Sequence, residues 1–204
     1  MKANPLNTRI RRALCVSAAV GLAVLITALT GCTQAEAAKP SGFSPKQMAD
    51  ALFAVMSSDR AVYTKQVVNR LQNEDKVIKA SEHWKDDKAL PLPAQMFRMG
   101  AETVSQKNAG FSYALLSSWP INKQNAPKTD VEKTGLKYIA DAKGSSNYYS
   151  DEVLGGKKYF TAVYPDVAVS QACVKCHNNH DDSPRKDFAL DEVMGGVVIR
   201  IPVQ

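Results

Sequence analysis

Apolar positions set the first expectations. From Ser44 to about Ala80 they recur at spacings near three and four, at Met48, Leu52, Val55, Met56, Val62, Val67 and Leu71. That spacing places them on one stripe of a helix. Ser44-Pro45 supplies a capping hydroxyl and a proline at the first helical position. The run predicts one long helix, or two in series that break near Ser57-Ser58. Leu90-Pro91-Leu92-Pro93 is an extended stop, because the residue before a proline is pushed out of the helical region. A second helix is expected from about Ala94 to Lys107, ended by Asn108-Ala109-Gly110. Residues 111 to 118 alternate as a strand does. A loop with two prolines, Trp119 to Pro127, leads to a third helix over 129 to 142, capped by Thr129 or Asp130. Strand-like runs at 147 to 154 and 157 to 164 flank Gly155-Gly156, a hairpin signal. Met194 to Val203 is apolar and β-branched, and reads as a last strand. Helices first, then antiparallel strands with a helix among them, make an α+β domain over 45–204. Its sheet is expected to give one face to a helix or to a bound group.

The N-terminus departs from this pattern. A basic start with Arg9, Arg11 and Arg12 precedes an apolar run from Ala13 to Leu29, the form of a secretory leader. Leu29-Thr30-Gly31-Cys32 follows, and resembles the lipobox of bacterial lipoproteins, in which the chain is cut before the cysteine and that cysteine is acylated. An uncleaved membrane helix is the alternative, since the run is near the lower limit of roughly 17 residues for a span. The cysteine directly after Leu-Thr-Gly favours the lipoprotein. Residues 1–32 are then the leader, ending at the lipidated Cys32, and 33–44, rich in Ala, Lys, Pro, Ser and Gly, a linker. Either reading tethers the domain to a membrane outside the cytoplasm, in the periplasm. Thr33, where an Asp would be linked to inner-membrane retention, points toward the outer membrane.

Charge changes little. The chain carries a formal +6, but Lys2, Arg9, Arg11 and Arg12 belong to the leader, which leaves 22 basic against 20 acidic residues. That balance gives no reason to expect nucleic acid as a partner.

The chemistry lies in Cys173-Val174-Lys175-Cys176-His177. This C-x-x-C-H run is the attachment pattern of a c-type haem. Two thiols at this spacing can add to the two vinyl groups of one porphyrin, and the histidine that follows ligates the iron as proximal ligand. Half a zinc site is a weaker reading, because no second cysteine pair exists to complete four ligands. A redox C-x-x-C is weaker too, because it usually sits between strand and helix of a βαβ unit. Of the four cysteines, Cys15 goes with the leader, Cys32 takes lipid, and Cys173 and Cys176 take haem.

Five stretches, in order, carry a family resemblance. They are Pro91-Leu92-Pro93-Ala94, Ser118-Trp119-Pro120-Ile121-Asn122, Cys173 to Asn178, Asp182-Ser183-Pro184 and Val193-Met194-Gly195-Gly196-Val197. Together they resemble the c-type haem, PAS-like sensor domain found ahead of bacterial histidine kinases, cyclases and chemoreceptors. The resemblance runs from about residue 46 to 204. It implies a PAS-like antiparallel sheet with flanking helices, haem held through Cys173 and Cys176, and His177 as proximal ligand. It also implies a role in sensing redox state or a diatomic gas. Two departures stand out. The chain ends at Gln204 with no output module, so a signal is expected to pass to a partner protein. Leu190-Asp191-Glu192 stands where a Gly-Asp pair is expected, so the turn into the last strand should differ.

The ligand opposite His177 is left open. Family members resembled here use Cys, Met, His or water, and no Cys remains. Met96 is the first protein candidate, since it opens a helix after a rigid turn and its thioether is flexible. Met99 and Met56 compete with it. His180 lies close behind His177, which suits a hydrogen bond or a solvated turn better than the far side of the ring. His83 reads as a surface residue. The resemblance puts Arg60 and Tyr63 near haem propionates or a bound gas. A methionine would suit a small electron-transfer cytochrome, the alternative function, and an open site would suit a sensor. No polar pairing over an open iron is evident, so an enzyme is the weakest reading.

Overall fold

A computed structural model describes residues 42–204. The leader, Cys32 and residues 33–41 of the linker lie outside the described residues.

The first helix begins where its cap is. Ser44 accepts a hydrogen bond from the Gln47 N–H, and the Gln47 side chain accepts one from the Ser44 N–H, with Pro45 at the first helical position. Helix α1 (Pro45–Val62) then runs into a π-helical segment, Tyr63–Glu74. The expected break at Ser57-Ser58 does not occur. Both hydroxyls donate to the Ala54 carbonyl, at 3.3 and 2.7 Å, so they are satisfied inside the helix. The change comes at Tyr63 instead, and the helical path ends at Glu74, short of Ala80.

Two short strands, β1 (Ala80–Ser81) and β2 (Leu90–Pro91), pair in parallel, a contact no periodicity announced. Helix α2 (Pro93–Gln106) follows the proline turn as expected, and Asn108 and Gly110 take the positive φ that ends it. Next come β3 (Ser112–Leu116), α3 (Asp130–Asp141), β4 (Tyr148–Leu154), β5 (Lys157–Val167), α4 (Gln171–Asn179) and β6 (Val193–Pro202). Thr129 caps α3, with Glu132 closing the capping box. Gly155 and Gly156 turn the β4–β5 hairpin at φ 56° and 77°, the backbone that a two-residue turn demands.

The large sheet is antiparallel throughout, in the order β3-β6-β5-β4. Alternate residues sort its faces. Ala162, Tyr164, Val197 and Ile199 meet Ala49 of α1 and Phe97 of α2. Val163 and Val198 meet Leu136 and Ile139 of α3. Phe53 of α1 stacks on Tyr164 with ring centroids 4.2 Å apart. Each fully buried Val, Leu, Ile or Phe among them contributes roughly 1.5–3 kcal/mol. Gly100 lets α2 lie this close, because a Cβ there would come within 2.5 Å of the Tyr113 hydroxyl. Asp50 fastens α1 to the sheet, accepting from Tyr149 at 2.8 Å and Tyr164 at 2.7 Å while Lys46 sits 2.7 Å away.

Helices therefore cover both sheet faces. One face goes to a single helix, α3, as expected, and the other is shared by α1 and α2. Helix α4 packs instead at the end of the sheet, where β3 and β5 stop and β6 begins. Ala168, Phe188 and Met194 form a small core there with Trp119, Cys173 and Val174. In the turn into β6, Asp191 takes φ 63°, the left-handed backbone that glycine adopts without strain. Among the described residues no helix is long and apolar enough to cross a membrane.

Candidate functional site

Helix α4 starts from an extended Ser170, whose hydroxyl lies 3.4 Å from the Cys173 sulfur. On this helix Cys173, Cys176 and His177 stand three and four residues apart, so one face presents all three. Cys173 packs into the small core, Cys176 is exposed, and neither is in a disulfide. His177 meets Phe188 edge to face, with centroids 5.9 Å apart. Phe188 meets Trp119 the same way at 5.8 Å.

The loop after α4 is fixed to it by a two-bond clasp. Asn178 donates to the Phe188 carbonyl at 2.9 Å, and the Phe188 N–H donates to the Asn178 side-chain oxygen at 3.0 Å. The Arg185 guanidinium lies over the Trp119 ring at 4.8 Å and over the Phe188 ring at 4.4 Å. Arg185 is also paired with Asp187, at 2.7 Å, and with Glu192. The aromatic wall beside His177 is thus held from several directions.

Burial pushes the His177 pKa down, with the Arg60 and His180 charges adding to it and Asp166 acting against it. The ring is therefore neutral at neutral pH, the form that ligates a metal. Its Nδ1 is buried and has no hydrogen-bond partner. Such an atom in a packed site calls for an explanation. Cys176 reaches the surface, but the atoms packed around its sulfur partly desolvate it and raise the thiol pKa, helped by Cys173 and Glu82. A redox dithiol needs the opposite shift. Cys173 does follow a strand and open a helix, but β5 and β6 are antiparallel, so the setting is not a βαβ unit. Among the described residues no three of His, Cys, Asp and Glu converge as a metal site would require.

A cavity of about 340 Å³ opens between α1, α2 and the end of β5, lined by Phe53, Ser57, Arg60, Phe97, Asp166 and Val197 among others. Arg60 and Asp166 form an ion pair in it, while Arg60 Nε is buried without a partner. Arg60 is near enough to His177 for its charge to act on the imidazole. Tyr63 turns elsewhere and donates to the Pro91 carbonyl at 2.8 Å. Met96 is half-buried on α2, but it is Phe97 that lines the cavity. Met99 is exposed, and Met56 packs against the core under α1. His180 accepts from the Asp182 N–H at 3.1 Å and lies 3.6 Å from Glu82, holding the turn after α4. His83 is exposed beside Glu82.

Asp166 and Phe188 escaped the sequence reading, and Asn178 entered it only as the end of the third stretch of the resemblance. Asp166 had a signal, a carboxylate interrupting the apolar run Tyr164-Pro165-Asp166-Val167, and the β5–β6 register shifts at that point. Such irregularities concentrate beside functional sites. Phe188 lies in an aperiodic loop and had none, and Asn178, on α4 beside His177, is tied to that loop by contacts ten residues away.

The Tll0287-like family model matches residues 43–202. The fold is similar to that of the crystal structure of the cyanobacterial haem protein Tll0287, at 13% identity and a TM-score of 0.50. The likeness covers 78% of this chain and 97% of that one. At this identity it speaks for fold alone. No curated protein matches the sequence. The family match spans nearly all of the described residues and agrees with the resemblance carried by the five segments, so this chain belongs to the Tll0287-like family.

Proposed function

We propose that this protein binds one haem c, held by thioethers from Cys173 and Cys176 and ligated through its iron by His177. The observation that carries this reading is a half-buried, neutral imidazole with a buried, unpartnered Nδ1 on the same helix face as two free thiols. Membership of a family represented by a haem protein supports it. Attachment needs no oxidant, since each thiol adds its S–H across one vinyl group. The residues present suit a flat apolar macrocycle. Trp119, Phe188 and Val174 supply an apolar wall, and Arg60 Nε–H is a donor free to meet a propionate or a ligand oxygen. Haem supplies one-electron chemistry and an iron that binds diatomic gases. The chain's own part is to fix the imidazole, keep water from it and set the charge nearby.

The role we infer is sensing of redox state or a diatomic gas by a periplasmic, lipid-anchored protein, with Cys32 as anchor and a partner protein receiving the signal. The Arg60–Asp166 pair supports it, because it joins α1 to the strand that leads into α4. A change of charge at His177 therefore bears on the long N-terminal helix. Electron transfer is the second reading. The exposure of Cys176 favours it, since one edge of the macrocycle would then lie near solvent.

The test is an absorption spectrum of the purified protein, oxidised and reduced, with and without carbon monoxide. Covalent haem that survives acid denaturation is expected, and a Cys173→Ala/Cys176→Ala variant should lose it completely. If that variant keeps covalent haem, the attachment reading fails. A spectrum that shifts with carbon monoxide supports sensing. One that ignores it and carries a methionine–iron band supports electron transfer.

A further inference from the structure

The outer edge of β3 is an unclosed boundary of the sheet, and the hairpin locates its free backbone groups. Gly155-Gly156 is a two-residue turn, so its flanking pair, Leu154 and Lys157, exchange hydrogen bonds. Bonded pairs alternate from there. In β5, residues 157, 159, 161 and 163 therefore bond to β4, and 160, 162 and 164 bond to β6. In β6, residues 197, 199 and 201 turn to β5, and 196, 198 and 200 turn to Leu116, Ala114 and Ser112 of β3. Tyr113 and Leu115 are left with N–H and C=O facing away from the sheet. Ser117 keeps the same phase, and its N–H reaches out to the Asn125 carbonyl at 2.9 Å. No partner for the Tyr113 and Leu115 backbone is found among the described residues.

This edge lies in a trough of about 410 Å³. Ala94, Arg98 and Ala101 of α2 wall one side, and the segment from Gln124 to Lys128 walls the other. Arg98 is paired with Glu102 at 2.9 Å and Arg200 with Glu132 at 2.7 Å. Lys128 lines the trough with no ion pair among the described residues. Two outward donor and acceptor sets, one at each second residue, are what an extended chain satisfies. The walls leave room for one chain. A second copy's β3 would bring its own α2 and loop against these walls.

We propose that the trough receives one extended peptide segment of a partner protein, added to β3 as a further strand with an acidic residue beside Lys128. Ala94 and Ala101 are small, which leaves room for apolar side chains at alternate positions of that segment. The inference does not depend on haem and stands apart from the functional reading above.

Fluorescence anisotropy with the full chain tests it, with and without haem. The probe is a library of short fluorescein-labelled peptides with alternating apolar residues and one aspartate. Saturable binding is expected. It should weaken about tenfold or more when alternate peptide nitrogens are methylated, since the added strand then loses its donors. Leu115→Pro removes one outward N–H and spares the pairing with β6, and should weaken binding as much. Ala101→Arg fills the trough from a helix surface, and keeps the test decisive should the proline variant not fold. Lys128→Glu should weaken binding by several-fold and reverse the preference for aspartate over lysine. Absence of binding across the library, or binding that survives both methylation and Ala101→Arg, overturns the proposal. A wild-type dimer in sedimentation that Ala101→Arg converts to monomer would place a second copy on the edge, and overturns it as well.

Discussion

Two arginines are buried to the same degree and used differently. The side chains of Arg60 and Arg200 are each 15% exposed. Arg200, on the α3 side of the sheet, meets Glu132 at 2.7 Å and Glu152 at 2.6 Å. Thr161 donates to Glu152 at 2.6 Å, and the Thr129 N–H donates to Glu132 at 2.9 Å, so little in this network is left over. Arg60 meets one carboxylate, Asp166, and keeps a buried Nε without a partner, close to an imidazole that also lacks one. A satisfied network specifies a structure. A pair with spare donors, set in a cavity, is poised to meet something else.

This contrast can be broken by experiment. Replacing Arg200 with Met strands two buried carboxylates. It should cost about 3–5 kcal/mol in urea unfolding, with no effect on the spectrum of bound haem. Arg60→Met strands one carboxylate, so a smaller cost of about 2 kcal/mol is expected, together with a shift in haem spectrum or potential. Equal costs with no spectral change in either variant would erase the distinction. The pH dependence sharpens it. Burial opposes the charge on Glu132, but hydrogen bonds from Thr129, Arg200 and Lys128 hold its carboxyl below its ordinary value of 4.5. The folded chain therefore keeps this charge to lower pH than the unfolded chain does. Its stabilisation is in full force above pH 4.5 and is lost as pH falls through the depressed value. Glu132→Gln should flatten the fall of the urea midpoint below that pH. Ser117 lies at the seam of the two regions. It donates to the Met194 carbonyl at 2.6 Å and accepts from the Trp119 N–H at 2.9 Å. Ser117→Ala should cost about 1 kcal/mol and leave Trp119 less fixed, which its fluorescence anisotropy reports.

Local signals were legible and long-range ones were not. Ser44-Pro45, Thr129 with Glu132, and Gly155-Gly156 each act within a few residues, and each boundary they mark stands where it was expected. The Ser57-Ser58 break failed because a hydroxyl can bond back into its own helix, which composition does not reveal. The parallel β1–β2 pair joins two-residue stretches, too short to carry a period. At the site, the Cys-x-x-Cys-His spacing was readable because one ligand chemistry fixes it. The wall beside His177 was not, because Phe188 and Trp119 reach it from loops far apart in sequence. Met96 was the candidate on α2, yet its neighbour Phe97 lines the cavity, because one step along a helix turns the side chain by more than a quarter of a circle.

The strand order has a temporal meaning. β6 lies between β3 and β5, yet it is the last of the sheet strands to leave the ribosome. Until it arrives β3 has no neighbour, and the β4–β5 hairpin stands apart from it. The small core under α4 also lacks Met194 until then. The Cys173–His177 segment is therefore made before the packing that encloses it can close. Any enzyme that modifies those side chains meets a loose chain first, and closure of the sheet by its central strand ends that interval.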